Sequence, residues 1–337
     1  MRAMVLREPG PADASPLRLE EVPVPAPGPG EALIRVEVCG VCRTDLHVVE
    51  GELPHRRPRL IPGHEVVGRV ERLAPGVHSV SLGERVGVAW LHRACGECPY
   101  CRRGQENLCD APSFTGWTVD GGYAEFVVAP ADFIYSLPDG LDSRAAAPFL
   151  CAGIIGYRAL RLCEVAPGES LGLYGFGGSA HLVLQIARHW GCRTYVVSRG
   201  VRHQELARRL GATWVGGAGE RPPEKLRSAI VFAPAGEVVP EALSALDKGG
   251  TVAVAGIYLT PIPELDYQRH LFNERTLRSV TANTREDGRD LLRLAAEIPL
   301  RAETQEYPLE QANEALQALK VGRVQGAAVL RVSPASE

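Results

Sequence analysis

Ser170-Leu-Gly-Leu-Tyr174, followed by Gly175-Phe-Gly177-Gly178-Ser179-Ala180, is a short apolar run that meets a glycine turn and opens into a helix. The run has the length of a buried strand. Ala180, Val183, Leu184, Ala187 and Trp190 then recur at the spacing of one helix face packed on a sheet. Gly175, Gly177 and Gly178 permit a tight turn and the close approach of a pyrophosphate, whose charge suits a helix N-terminus. Ala180 stands where only a small residue allows helix and strand to pack. A plain loop would use the same glycines, so the rhythm around them decides.

Downstream, strands are predicted at 194–198, 213–215, 229–233, 251–255 and 277–280, with helices at 201–210 and 238–246 between them. Repeated strand–helix units with right-handed crossovers give a doubly wound parallel sheet of six strands. Upstream, as far as about Pro148, short strands at 32–38, 66–73, 85–89 and 124–128 are broken by Gly and Pro. That half reads as an irregular, mostly-β domain. A helix at 310–319 and a strand at 327–332 are expected to return to it. The expected division is therefore 1–150, completed by about 291–337, and 151–290.

The whole chain has 337 residues, 45% hydrophobic and 23% charged, with a formal net charge of −3. This balance is that of a globular protein and lacks the basic surplus of a general nucleic-acid binder. The longest uncharged apolar stretch, 145–157, is shorter than the ~18 residues of a membrane span and contains Pro148. The start carries Arg2, Arg7 and Glu8 without an apolar signal core, so a cytoplasmic protein with no membrane or nucleic-acid partner is expected. Nine cysteines, an odd number, in a reducing compartment favour metal over a disulfide framework.

Four of them form Cys95-x2-Cys98-x2-Cys101-x7-Cys109. Four thiolates on one loop can close a tetrahedral shell around Zn²⁺, leaving no position for substrate, so a structural zinc is predicted. A dispersed set is less decisive by itself: Cys42, His64-Glu65 and Cys151. Read from the residues alone, the cysteines could equally be small core residues and His64 a satisfied polar one.

The motifs in sequence are Cys39-Gly-Val-Cys42-Arg43-Thr44-Asp45-Leu-His47, Gly63-His64-Glu65, the four-cysteine loop, Leu150-Cys151-Ala-Gly and the glycine turn. In this order, across nearly the whole chain, they resemble the zinc-dependent alcohol dehydrogenases of the medium-chain dehydrogenase/reductase superfamily. The resemblance implies a GroES-like catalytic domain beside a Rossmann dinucleotide-binding domain, with two Zn²⁺ per chain. It makes Cys42, His64 and Cys151 ligands of a catalytic zinc that holds an alcohol oxygen as a Lewis acid. Asp45 would orient His64, Glu65 would lie behind the metal, and Thr44 and His47 would form a proton relay by way of the cofactor ribose. Arg43 would contact the cofactor pyrophosphate. Cys39, Cys163 and Cys192 are left as core thiols.

Two departures from the family pattern stand out. The turn ends Ser179-Ala180 where many relatives have Leu-Gly, and Gly326-Ala327 stands where relatives often carry a phosphate-binding Arg. Trp90, in the context Ala-Trp-Leu, is either a core residue or the wall of a pocket for small, slender alcohols. The second nucleotide strand ends in Ser198-Arg199, with no carboxylate to hold a ribose 2′-hydroxyl. Arg199, with Arg202, can offer forked cationic donors to a 2′-phosphate, so NADP(H) is expected over NAD(H). The expected activity is hydride transfer between a small alcohol and a nicotinamide, in a homodimer or homotetramer. A polyol or amino-alcohol dehydrogenase of the same superfamily is the alternative, as is a non-catalytic zinc- and dinucleotide-binding protein.

Overall fold

The computed structural model describes residues 1–333, so the last four residues of the expected return at 291–337 lie outside the described residues. The chain forms two compact units. One holds Met1–Cys151, Ala282–Glu297 and the chain from Arg301 onward; the other holds Ala152–Thr281 and Ile298–Leu300.

The second unit is built on six parallel strands in the order Trp214–Gly216, Arg193–Val197, Ser170–Tyr174, Leu226–Val231, Leu246–Val254 and Thr276–Ser279. The first strand in the chain lies in the middle, and the winding reverses beside it. That is the doubly wound sheet expected from the sequence. Its central strands carry Leu171, Leu173, Val196, Ile230 and Val252, all fully buried, as a sheet covered on both faces requires. Helix Gly178–His189 buries Ala180, Val183, Leu184 and Ala187, the face predicted by periodicity. Leu182 and Ile186 are buried too. Helix Ala152–Leu162, which the periodicity reading did not contain, packs against it, and a Cβ on Gly156 would sit 2.5 Å from Val183.

In the first unit, the central strand is Glu31–Val41. It pairs antiparallel with Glu65–Leu73, with Ala327–Arg331 and with Phe126–Pro130. Arg85–Val88 and Ile134–Ser136 extend the sheet on one side, and Thr304–Pro308 on the other. One core unites Ile34, Val36, Val66, Val86 and Ala129 with Leu316 and Leu330 from the end of the chain. The late strand and helix Ala312–Lys320 thus return to this sheet, the helix packing on Arg43–Glu50. Among the described residues no single helix is long and apolar enough to cross a membrane.

Candidate active site

Strand register brings the dispersed residues together. Gly40 lies opposite Glu65 and Cys39 opposite Val66, so Cys42, just past the end of one strand, comes near His64, just before the start of the other. Gly40 is required there: a Cβ would fall 1.8 Å from the Glu65 carboxylate. Cys42 caps helix Arg43–Glu50. Its sulfur accepts from the Thr44 N–H at 3.3 Å, while Asp45 accepts from the Cys42 N–H at 2.9 Å, a reciprocal capping box with a thiol in the usual hydroxyl position. The turn Ala147–Leu150 packs on the same two strands and delivers Cys151. The two sulfurs end 3.8 Å apart.

Cys42, His64, Glu65 and Cys151 each present one ligand atom, all within 4.8 Å of one another. Asp45, 1% exposed, bonds His64 Nδ1 at 2.8 Å and so fixes the ring. His64 Nε2 is buried with no hydrogen-bond partner. A buried polar nitrogen left unsatisfied costs about 1–3 kcal/mol, and a cation held together with the thiolates is the partner that this donor set fits. The thiols are already polarised. Hydrogen bonding from Cys151 pulls the Cys42 thiol well below its usual range, and the same contact pushes Cys151 well above it. Burial works against a charged His64, but the Asp45 carboxylate and Cys42 outweigh it and hold its pKa well above the ordinary range. Burial raises Glu65 well above the usual carboxylate range.

Thr44 is buried, and His47, half-buried one turn further on, pairs through Nδ1 with Glu52. Arg43 is exposed at the start of that helix. Trp90 stands edge-on to His64, with ring centroids 5.1 Å apart. Two rings that the sequence reading missed complete a stack, Phe114 at 5.0 Å and Trp117 at 5.8 Å from Trp90. Their only sequence signal is an aromatic pair three residues apart, which is equally a core signal.

The second cluster is Cys95, Cys98, Cys101 and Cys109, again with sulfurs within 4.8 Å of one another. Backbone N–H groups of Cys95 and Ala111 donate to the Cys109 sulfur at 3.2 and 3.4 Å, and the Cys98 N–H donates to Cys95 at 3.3 Å. Backbone donors from Cys101 and Asp110 lower the Cys98 thiol to about 6, whereas desolvation lifts Cys101 to about 12. The loop is tied down by an ion pair that the sequence did not reveal. Arg285 donates to Glu106 through its backbone N–H and its guanidinium, both at 2.7 Å, and lies 4.5 Å over the Phe133 ring.

In the second unit, Gly175 adopts φ +89°, and a Cβ there would meet the Ala233 nitrogen at 2.7 Å. Gly177 precedes the helix that Gly178 begins, and Ala180 is fully buried beneath it. Ser198, at the end of its strand, is buried and bonds Gly216 through its backbone, while Arg199 and Arg202 are exposed. Cys39, Cys163 and Cys192 are buried free thiols.

Residues 28–139 match the alcohol dehydrogenase GroES-like domain, and residues 178–297 match the zinc-binding dehydrogenase domain. The chain is 53% identical, over 98% of its length and 97% of the other's, to a probable alcohol dehydrogenase, AdhA, from Mycobacterium tuberculosis. Among solved structures it resembles a cinnamyl alcohol dehydrogenase from Sorghum bicolor, with a TM-score of 0.89, 27% identity and coverage of 100% and 99%. A cobalt- and zinc-bound thermostable alcohol dehydrogenase from Pyrobaculum aerophilum gives a TM-score of 0.88, 28% identity and coverage of 98% and 99%.

Proposed function

The chain belongs to the zinc-binding alcohol dehydrogenases of the medium-chain dehydrogenase/reductase superfamily, oxidoreductases that act on CH–OH with a nicotinamide cofactor, and on that premise we propose how its own residues do this. The first unit carries the metal chemistry and the second the dinucleotide. Cys42, His64 and Cys151 hold the catalytic zinc. The observation that carries this reading is the buried, unpartnered His64 Nε2 among the clustered sulfurs. When bound, zinc supplies a Lewis acid for the alcohol oxygen and the nicotinamide supplies the hydride acceptor. Asp45 keeps His64 in the tautomer whose Nε2 is free to ligate. Thr44 takes hold of the hydroxyl proton, and His47, braced by Glu52, passes it towards solvent. Trp90, with Phe114 and Trp117, walls the pocket and favours small, slender alcohols.

Cys95, Cys98, Cys101 and Cys109 hold a second, structural zinc. Gly175, Gly177, Gly178 and Ala180 receive the pyrophosphate. The cofactor preference is for NADP(H), supported by the absence of a carboxylate at Ser198 and by the exposed guanidinium groups of Arg199 and Arg202. A homodimer or homotetramer is supported by Ile257, Tyr258, Tyr267 and Phe272, large apolar residues left exposed close in the chain to the sheet-edge strand Thr276–Ser279. Nine cysteines without a disulfide suit the cytoplasm.

Metal analysis of the purified protein, together with alcohol-dependent formation of reduced cofactor, tests the two-zinc reading, which one zinc per active chain would overturn. Comparison of kcat/KM for both cofactors in the parent and in Ser198→Asp tests the preference. The parent is expected to favour NADP and the variant NAD. A parent that favours NAD severalfold would sink the assignment.

A further inference from the structure

A cavity of about 370 Å³ lies within the first unit, lined in part by Ile61, Val119 and Phe126 and by the polar groups of Arg59, His92, Glu31 and Asp120. Its size is at the low end for a small-molecule site, roughly 300–1,000 Å³. The polar groups are unequally occupied. Glu31 accepts from the Gly28 N–H at 2.9 Å and from Arg93 at 2.8 Å. Asp120 accepts from the Ile61 N–H at 3.0 Å and pairs with Arg57 at 3.4 Å. Both carboxylates are therefore already neutralised. Arg59 forms no hydrogen bond or ion pair with any described residue, its Nε is buried, and the carboxylate that feels its charge, Glu20, is already paired with Arg7 at 2.8 Å. His92 is 6% exposed, and its Nδ1 is buried without a partner. Burial, with Arg93 beside it, lowers His92 to about 4, so near neutral pH its imidazole is uncharged and can donate one N–H.

We propose that this cavity binds a small monocarboxylate with an apolar body, its carboxylate paired with Arg59 and hydrogen-bonded by His92, its body against Ile61, Val119 and Phe126. Arg59 and one neutral donor match a single carboxylate, and the Met1 ammonium, also on the lining, donates to the Val22 carbonyl at 2.8 Å. The apolar wall of Ile61, Val119 and Phe126 suits an organic carboxylate better than inorganic phosphate. The site reaches the catalytic cluster through the chain: Asp120 and Gly121 grip the N–H and C=O of Ile61, three residues before His64. An occupant that contacts Ile61 and Asp120 therefore stabilises the segment that carries His64.

The test uses benzoate as the probe, with inorganic phosphate and acetate as comparators, on the zinc-loaded enzyme. Calorimetry and thermal shift measure binding, and binding is repeated under saturating cofactor and alcohol. Benzoate should bind the parent in the submillimolar to millimolar range, more tightly than acetate or phosphate, and should still bind when the active site is filled. Loss of one charge-assisted hydrogen bond predicts that Arg59→Gln weakens benzoate by about tenfold or more, while kcat/KM for the alcohol stays within about twofold. Arg59→Lys, which keeps the charge, should retain most of the affinity, and His92→Phe should lose a smaller part. No binding up to roughly 10 mM would overturn the proposal. So would affinity unchanged in Arg59→Gln, phosphate binding as tightly as benzoate, or displacement by alcohol and cofactor, which would place the carboxylate on the catalytic cluster instead.

Discussion

The first unit holds two clusters of side chains able to hold a metal ion, built on opposite plans. Cys95, Cys98, Cys101 and Cys109 come from one loop, range from exposed to buried, and have sulfurs fed by that loop's own N–H groups. Cys42, His64 and Cys151 come from three distant segments, the histidine fully buried and bound to a buried carboxylate. In the first plan the cysteines sit on one loop that is largely open to solvent, so a metal bound there would stabilise the loop. In the second, buried strands already hold the side chains together, so a metal bound there would be positioned rather than required for folding. The same donor atoms suit stability or reactivity according to what holds them in place.

The largest effect is expected from His64→Ala. A Lewis acid supplies several kcal/mol of transition-state stabilisation, so turnover should fall by roughly a thousandfold or more. Dinucleotide binding, measured by fluorescence titration, should survive, while the melting temperature falls moderately because Asp45 is left buried without its partner. Equal collapse of both would erase the distinction.

Cys98→Ser probes the other side. Losing a loop-closing ligand should lower Tm by roughly 5–10 °C and remove one zinc, with kcat of the surviving folded enzyme largely kept. Metal analysis beside a thermal melt decides it: a full zinc complement and a parental melt would show that the loop needs no metal.

Asp45→Asn sharpens the buried side. The amide keeps the shape but loses the charge that orients His64, so metal affinity or activity should drop by about 10–100-fold, with the loop's zinc unaffected. Competition with a chelator, followed for each metal separately, resolves the two.

The smallest effect falls on the tether of the loop. Burial works against an ionised Glu106, but the Arg285 guanidinium and N–H outweigh it and hold its carboxyl below the usual range. Because the folded pKa is depressed, this contribution is full above the ordinary glutamate range. It fades as pH falls through that range and the lowered folded value. Glu106→Gln should cost about 1–2 kcal/mol at neutral pH and flatten the acid limb of the stability profile. Melts recorded from pH 7 down to about pH 2 would show whether that limb moves at all.

The two clusters also differ in how far they could be read from the chain. Four cysteines within fifteen positions are legible because a loop's ligands are neighbours in sequence. The glycine turn is legible for the same reason: Gly175 must reach φ +89° a few bonds from the strand it ends, and a buried parallel strand is an apolar run. Helix Ala152–Leu162 escaped the periodicity reading, because its apolar residues follow directly from the apolar turn at Ala147–Leu150 and no change of pattern marks where one ends. Asp45, taken alone, reads as a surface carboxylate, and the fold buries it completely against His64.

Short-range spacing and periodicity in the amino-acid sequence encode the parallel sheet and the sulfur-rich loop, and the order of the motifs along the chain carries the resemblance to the family. Only the tertiary structure decided that Cys42, His64 and Cys151 meet, that Phe114 and Trp117 stack beside Trp90, and that Glu106 clasps Arg285 across 179 residues. It also decided that Arg59 and His92 face one cavity without partners while the carboxylates beside them are taken. Those meetings depend on strand register and on which polar groups find partners once water is excluded. Both are properties of the packed chain that no local stretch of it contains.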